Sequence, residues 1–193
     1  MEFVSHIVTA FGISAPAGLN AYLTLLLVGL TARFTDLMTL RAPFDLLENE
    51  WPLAGLLALA GFEFVVDKIP GLDTANDVLN TVIRPVAGAV LFASSANAIS
   101  DLNPVLGGAL GLVVAGSVHL GKATVRPPVQ AATGGLGGAF LSLVEDFLVV
   151  AAVILAIMAP LFILAVLTLA VWGSIRWLRR RRRPPAELAS SGY

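Results

Sequence analysis

Residues 139–177 read AFLSLVEDFLVVAAVILAIMAPLFILAVLTLAVWGSIRW, and this stretch decides the class of fold. It is apolar apart from Ser142, Glu145, Asp146, Thr168, Ser174 and Arg176. As one helix rising ~1.5 Å per residue it would be roughly 58 Å long. That is nearly twice the ~30 Å hydrocarbon thickness of a bilayer. The run is therefore split at Ala159-Pro160 into two spans, with one tilted helix kinked at Pro160 as the competing reading.

The rest of the chain agrees with a membrane setting. Of 193 residues 57% are hydrophobic and 13% charged, and the mean hydropathy is +0.86. Soluble domains carry about 25% charged residues. In lipid the backbone must satisfy itself, which leaves helices or a closed barrel. Barrel strands alternate in polarity, whereas the apolar runs here are continuous. The expected fold is all-α: a polytopic transmembrane bundle of about six helices plus a short N-terminal half-helix. Residues 1–183 form the transmembrane domain and 184–193 a disordered cytoplasmic tail.

The segments follow from the interruptions. Phe3 to Ile13 is too short to span and stops at Ser14-Ala15-Pro16-Ala17-Gly18, as an interfacial or re-entrant half-helix or one arm of a kinked pair. Leu19 to Ala32 follows, then a loop from Arg33 to Glu50 with a short surface helix. Trp51 to Lys68 is the third segment, with Pro52 in a first helical turn and Trp51 at the interface. A polar link, Ile69 to Asp77, precedes a helix from Val78 to Ala96 with Pro85 inside it. After a polar loop ending at Asn103, a glycine-rich helix runs from Pro104 to Lys122, suited to close contact in lipid. Val125-Arg126-Pro127-Pro128 breaks it, and Gly134 to Gly138 opens the next.

The charges are segregated. Arg176 and Arg179 to Arg183 supply six of twelve basic residues, while the chain up to Ser174 has six basic and twelve acidic residues, a formal −6. That body does not suit nucleic acid; its partners are the lipid bilayer and a small cation or proton, with oligomerisation open. Lysine and arginine mark the cytoplasmic side, so the arginine tail is placed there. The split run then puts Lys68, Arg84, Lys122 and Arg126 on that side too, with Asp45, Glu48 and Glu50 outside. The N-terminus lacks the basic start of a secretory signal, so the first segment is expected to be retained. Cysteine is absent, excluding disulfides and thiolate chemistry. His6 and His119, the sole histidines, argue against a multi-histidine metal centre.

Internal similarity is faint. Asn20-Ala21-Tyr22-Leu23-Thr24-Leu25 is similar to Gly138-Ala139-Phe140-Leu141-Ser142-Leu143, and Gly88-Ala89-Val90-Leu91 is a weaker third copy. Asp67-Lys68 and Gly121-Lys122 each close a helix before a proline-containing link. Repeats with interrupted helices are a transporter feature, and duplication stays open.

Ionisable side chains inside apolar helices are the candidate site. Glu63 and Asp67 lie four apart and share a helix face; Glu145 and Asp146 lie early in the long apolar run. A charged side chain at mid-membrane costs at least about 2.5–3.5 kcal/mol, so each needs a cation, a partner or water. Glu63, Asp67, Glu145 and Asp146, with His119 and Asn20, suit a cation or proton. The bland alternative pairs these acids with Lys68, Arg84 and Lys122, leaves His119 a packing donor and makes Asn20 a helix cap. Asp73, Asn76, Asp77 and Asn80 read as a solvated cytoplasmic face. No cofactor motif, hydrolase elbow or zinc motif is present, so no cofactor and no enzymatic activity are expected, and a metal stays undetermined.

Gly18-Leu19-Asn20-Ala21-Tyr22, the block from Phe62 to Asp73 (FEFVVDKIPGLD), Ile83-Arg84-Pro85 and Ser142-Leu143-Val144-Glu145-Asp146 resemble a group of small bacterial membrane proteins filed as a domain of unknown function. The likeness runs to about residue 158. It implies a polytopic protein of the bacterial inner membrane and carries no activity. A distant likeness joins the acids to cation/proton exchangers with Glu-x-Gly-Asp-Lys repeats, but the acid spacing here is one residue longer and the glycine is missing. The expected function is a small secondary transporter or permease for a cation or protons. The alternative is a non-transporting scaffold or lipid-associated accessory protein. Transport expects Glu63 and Asp146 to line one polar cavity; a scaffold expects closed ion pairs and no cavity.

Overall fold

The computed structural model describes residues 2–40, 42–69, 72–96, 103–134, 136–159, 162, 168–169 and 171–176. Six α-helices carry it: α1 (Glu2–Ala17), α2 (Ala21–Phe34), α3 (Glu50–Val66), α4 (Leu72–Ala96), α5 (Pro104–Thr133) and α6 (Leu136–Met158). A short 3-10 helix, Phe44–Glu48, lies in the loop before α3. Among the described residues there is no strand.

Helices α4, α5 and α6 contain stretches long and apolar enough to cross a membrane: Ala75–Ser95, Pro104–Thr133 and Leu136–Met158. Their outward residues are apolar, with Phe147 71% exposed, while Arg84 is 0% exposed. A helical membrane protein has this distribution, because lipid solvates the outer face and only the interior can hold polar groups. Trp51, 89% exposed at the start of α3, fits an interfacial ring.

The first helix departs from the expected break. α1 continues through Ser14, Ala15 and Pro16 to Ala17. Burial explains it: Ala10, Ile13, Ser14 and Ala17 are fully enclosed, and α1 packs on α4, α5 and α6. The chain then turns over Gly18 to Asn20. Thr9 midway along α1 bonds the carbonyl of Ala156, while Asn20 just past its end bonds Asp146, so α1 runs antiparallel to α6. His6 and Thr9 also line one cavity with residues 36–40, which follow α2. α1 and α2 are thus a hairpin of two short helices, 16 and 14 residues long. At ~1.5 Å per residue each arm is shorter than the hydrocarbon layer.

α3 lies antiparallel to α2. Arg33 Nη2 meets Glu50 Oε1 at 2.8 Å, and Leu26 packs with Leu53 and Ala60. The tightest crossing joins α1, α4 and α5. A Cβ on Gly88 would fall 2.7 Å from the carbonyl oxygen of Gly111, and one on Gly111 would fall 2.6 Å from Cβ of Phe92. Ser14 Oγ donates to both glycine carbonyls, at 2.9 Å and 3.3 Å. Without a hydrophobic force between helices in lipid, such small-residue approaches supply the packing.

Two further boundaries move. α4 begins at Leu72, so the link expected through Asp77 is mostly helical. α5 runs through Pro127 and Pro128 to Thr133, replacing the break expected at 125–128. These prolines donate no N–H, yet Arg126 beside them is anchored to Asp77 and Asp67, which holds that turn in place. α6 ends at Met158, as the split at Ala159-Pro160 expects, and residues 171–176 are helical. Pro160, most of 161–170, the arginine run and the 184–193 tail lie outside the described residues, and the one-or-two-helix question falls with them.

Candidate functional site

Four helices place polar side chains on the faces they turn toward one another. In α4 these are Asp73, Asp77, Asn80 and Arg84; in α5, His119, Lys122, Arg126 and Gln130. Their spacing of three or four residues aligns each set on one face. α3 adds Glu63 and α6 adds Ser142 and Glu145, while Asp67 caps the end of α3.

The deepest part centres on Arg84. Its Nη2 lies 2.8 Å from Oε1 of Glu63, and its Nη1 3.1 Å from Oδ1 of Asp77. Asn80 Nδ2 donates to the same Glu63 Oε1 at 2.9 Å. Arg84 Nη1 also faces Nδ1 of His119 at 3.1 Å. A guanidinium only donates, so Nδ1 accepts and the imidazole is neutral with its proton on Nε2. That proton points to Thr81 Oγ1 at 3.2 Å, and Thr81 in turn donates to the carbonyl of Asp77 at 3.0 Å.

Beyond Arg84 the network continues through Arg126 and Lys122. Arg126 bridges Asp77 at 2.7 Å and Asp67 at 3.4 Å, and reaches Glu145 at 3.9 Å. Lys122 meets Glu145 at 2.9 Å, Asp67 at 3.6 Å and Asp77 at 3.8 Å. Asn76 donates to Asp67 at 3.0 Å, Lys68 lies 3.7 Å from Asp146, and Gln130 bonds Asp73.

The hairpin tip enters this network with both helix ends. The carbonyl of Leu19, just past α1, accepts from Lys122 at 3.2 Å. Asn20, the N-cap of α2, donates to Asp146 at 3.0 Å. A helix C-terminus favours a cation and an N-terminus an anion, so the signs match at both ends.

Every site residue taken from the sequence lies in or beside this cluster: Glu63, Asp67, Glu145, Asp146, His119 and Asn20, with Lys68, Arg84 and Lys122 as partners. The solvated-face reading of residues 73–80 is overturned, because Asp73 and Asn80 are buried and Asn76 and Asp77 bond inward. Polar groups in a membrane interior are stable only facing one another. Arg126, expected in a helix break, is a central cation. Both errors came from reading residues singly, whereas the three-and-four spacing on α4 and α5 carried the signal.

A cavity of about 190 Å³ opens between α4 and α5, lined by Asp77, Val78, Thr81, His119, Ala123, Arg126, Pro127 and Gln130. Glu63 and Asp146 are not among the residues that line it. Among the described residues no group of three or more His, Asp or Glu is placed to hold a metal. Among the described residues, ion pairs within this network join five carboxylates (Glu63, Asp67, Asp77, Glu145, Asp146) to four cations (Lys68, Arg84, Lys122, Arg126). Within this set, neutrality needs one further positive charge.

A model of the family described as a domain of unknown function (DUF4126) matches residues 7–180. No curated protein and no solved structure matches the chain.

Proposed function

The chain belongs to the DUF4126 family, and we propose that it is a small secondary transporter or permease for protons or a small cation. It works in the bacterial inner membrane, with the arginine tail and the Lys68–Lys122–Arg126 end of the bundle on the cytoplasmic side. The observation that carries this reading is the unequal network in the interior of apolar helices. A purely structural set of ion pairs gains nothing from an extra carboxylate, and burying one costs several kcal/mol. A proton or monovalent cation completes it. Two short helices meeting at a charged site add support, since transporters build their sites from interrupted helices whose ends face the ions.

The scaffold reading is favoured by one specific observation. Glu63, Asp67, Glu145 and Asp146 each have a cationic partner within 4 Å. Flux separates the two. Purified protein in proteoliposomes is given pH and cation gradients, beside Glu63→Gln and Asp146→Asn. Transport expects wild-type flux that both substitutions reduce. If wild type and variants are equally silent under every gradient, the scaffold reading stands.

A further inference from the structure

Glu63 and Asn80 leave two acceptors empty. Glu63 is 1% exposed and Asn80 0%. Glu63 Oε1 accepts from Arg84 at 2.8 Å and from Asn80 Nδ2 at 2.9 Å. Glu63 Oε2 and Asn80 Oδ1 are both buried without a hydrogen-bond partner. Buried polar atoms are nearly always satisfied, and of the seven exceptions among the described residues these two belong to side chains already joined by a hydrogen bond.

We propose that Glu63 is the proton-binding group of the network, protonated on Oε2 and donating from there to Oδ1 of Asn80. A carboxylic acid and a primary amide each offer one donor and one acceptor, side by side. With Nδ2 already on Oε1, an O–H from Oε2 to Oδ1 closes a ring of two hydrogen bonds. One proton therefore satisfies both empty atoms. The step is proton gain alone: an Oε2–H bond forms with a proton from solvent, and the carboxylate charge disappears.

The surroundings accept that change. Arg84 keeps Asp77 as its counter-ion at 3.1 Å, so a neutral Glu63 does not strand the guanidinium. Neutral Glu63 also leaves four carboxylates for four cations among the ion-paired residues. The other groups acting on this position are Asp67 beyond α3, Lys122 and the neutral His119 on α5, and Tyr22 on α2. A metal ion fits less well, since hard cations gather six or more oxygens and no such set exists among the described residues.

This inference rests on the proton-transport reading and narrows its ion to the proton. Infrared titration of the protein in bilayers tests it. Wild type should show a carboxylic-acid C=O stretch at neutral pH that is lost on alkalinisation. Glu63→Gln should lack the band yet keep the bundle, because its amide nitrogen donates to Asn80 Oδ1 in place of the acid. Asn80→Leu removes both hydrogen bonds of the ring, including the donor to Oε1, and should shift the acid C=O stretch to higher wavenumber. Absence of the band in wild type, its persistence in Glu63→Gln, or an unmoved C=O stretch in Asn80→Leu overturns the proposal. The two readings fail separately. Flux without a Glu63 band sinks the proton site alone, and a Glu63 band without flux sinks transport while the proton site stands.

Discussion

Asn20 Nδ2 donates to Oδ1 of Asp146 at 3.0 Å, and the other end of the same amide accepts from the backbone N of Leu23 at 3.0 Å. The amide serves both with its two ends, because capping needs an acceptor and a carboxylate partner needs a donor. Asn20→Asp keeps the cap and sets two carboxylates together, so it should destabilise the bundle by about 1–3 kcal/mol. Asn20→Ser keeps the cap and gives up the Asp146 bond, for about 1 kcal/mol. Unfolding in detergent checks the order; equal stability of the two variants would count against the Asp146 contact.

Asp77 and Arg126 should behave as a coupled pair. Removing one partner of a buried ion pair costs about 3–5 kcal/mol, since the other charge is left uncompensated. Asp77→Ala and Arg126→Ala are each expected in that range. The double variant should fall short of their sum by about 1–3 kcal/mol. Additive losses would show that the 2.7 Å contact carries no coupling.

The crossing of Gly88 and Gly111 tolerates no side chain. Gly88→Val and Gly111→Val both drive Cβ into backbone or into Phe92, with an expected cost of about 3 kcal/mol or more. Gly55, whose surroundings are open, should accept alanine with little change. Ser14→Ala should cost only about 1 kcal/mol. Thermal unfolding of the four variants should separate them into two groups.

His119 should carry its proton on Nε2. Nitrogen NMR of ¹⁵N-histidine-labelled protein in bilayers distinguishes the two ring nitrogens directly. The expected spectrum shows a protonated Nε2 and an unprotonated, hydrogen-bonded Nδ1, with Nδ1 changing in Arg84→Ala. A proton on Nδ1 would contradict the Arg84–His119 contact.

The natural chain has no cysteine, so single cysteines report topology without background. Cysteines at Asp45 and at Thr133 should be labelled by a membrane-impermeant reagent from opposite sides. The Thr133 position is expected to share its side with the arginine tail. Labelling of both from one side would contradict the placement of the bundle's two ends.

Much of this was legible in the sequence. Continuous apolar runs forced membrane helices, because water-free surroundings leave the backbone no other way to pair. Each ionisable residue inside them marked a position needing a partner, so Glu63, Asp67, Glu145, Asp146 and Arg84 pointed to a site before any geometry was known. The helix ends were harder. Pro16, Pro127 and Pro128 read locally as breaks, but α1 and α5 pass through them because neighbouring helices and Arg126 hold those turns.

What the sequence alone determined was therefore the solvent, the helical class and the identity of most charges that have to be buried. Which charge meets which was decided only by the tertiary structure. Asp77 and Asn80 lie on a polar stripe that suits water as well as a partner helix, and local pattern does not distinguish the two. Packing α4 against α5 through Gly88 and Gly111 turned that stripe inward. The α1–α2 hairpin then brought Leu19 and Asn20 to Lys122 and Asp146, contacts spanning 103 and 126 positions. Such long-range pairings follow from how helices cross, and nothing in their own segments encodes them.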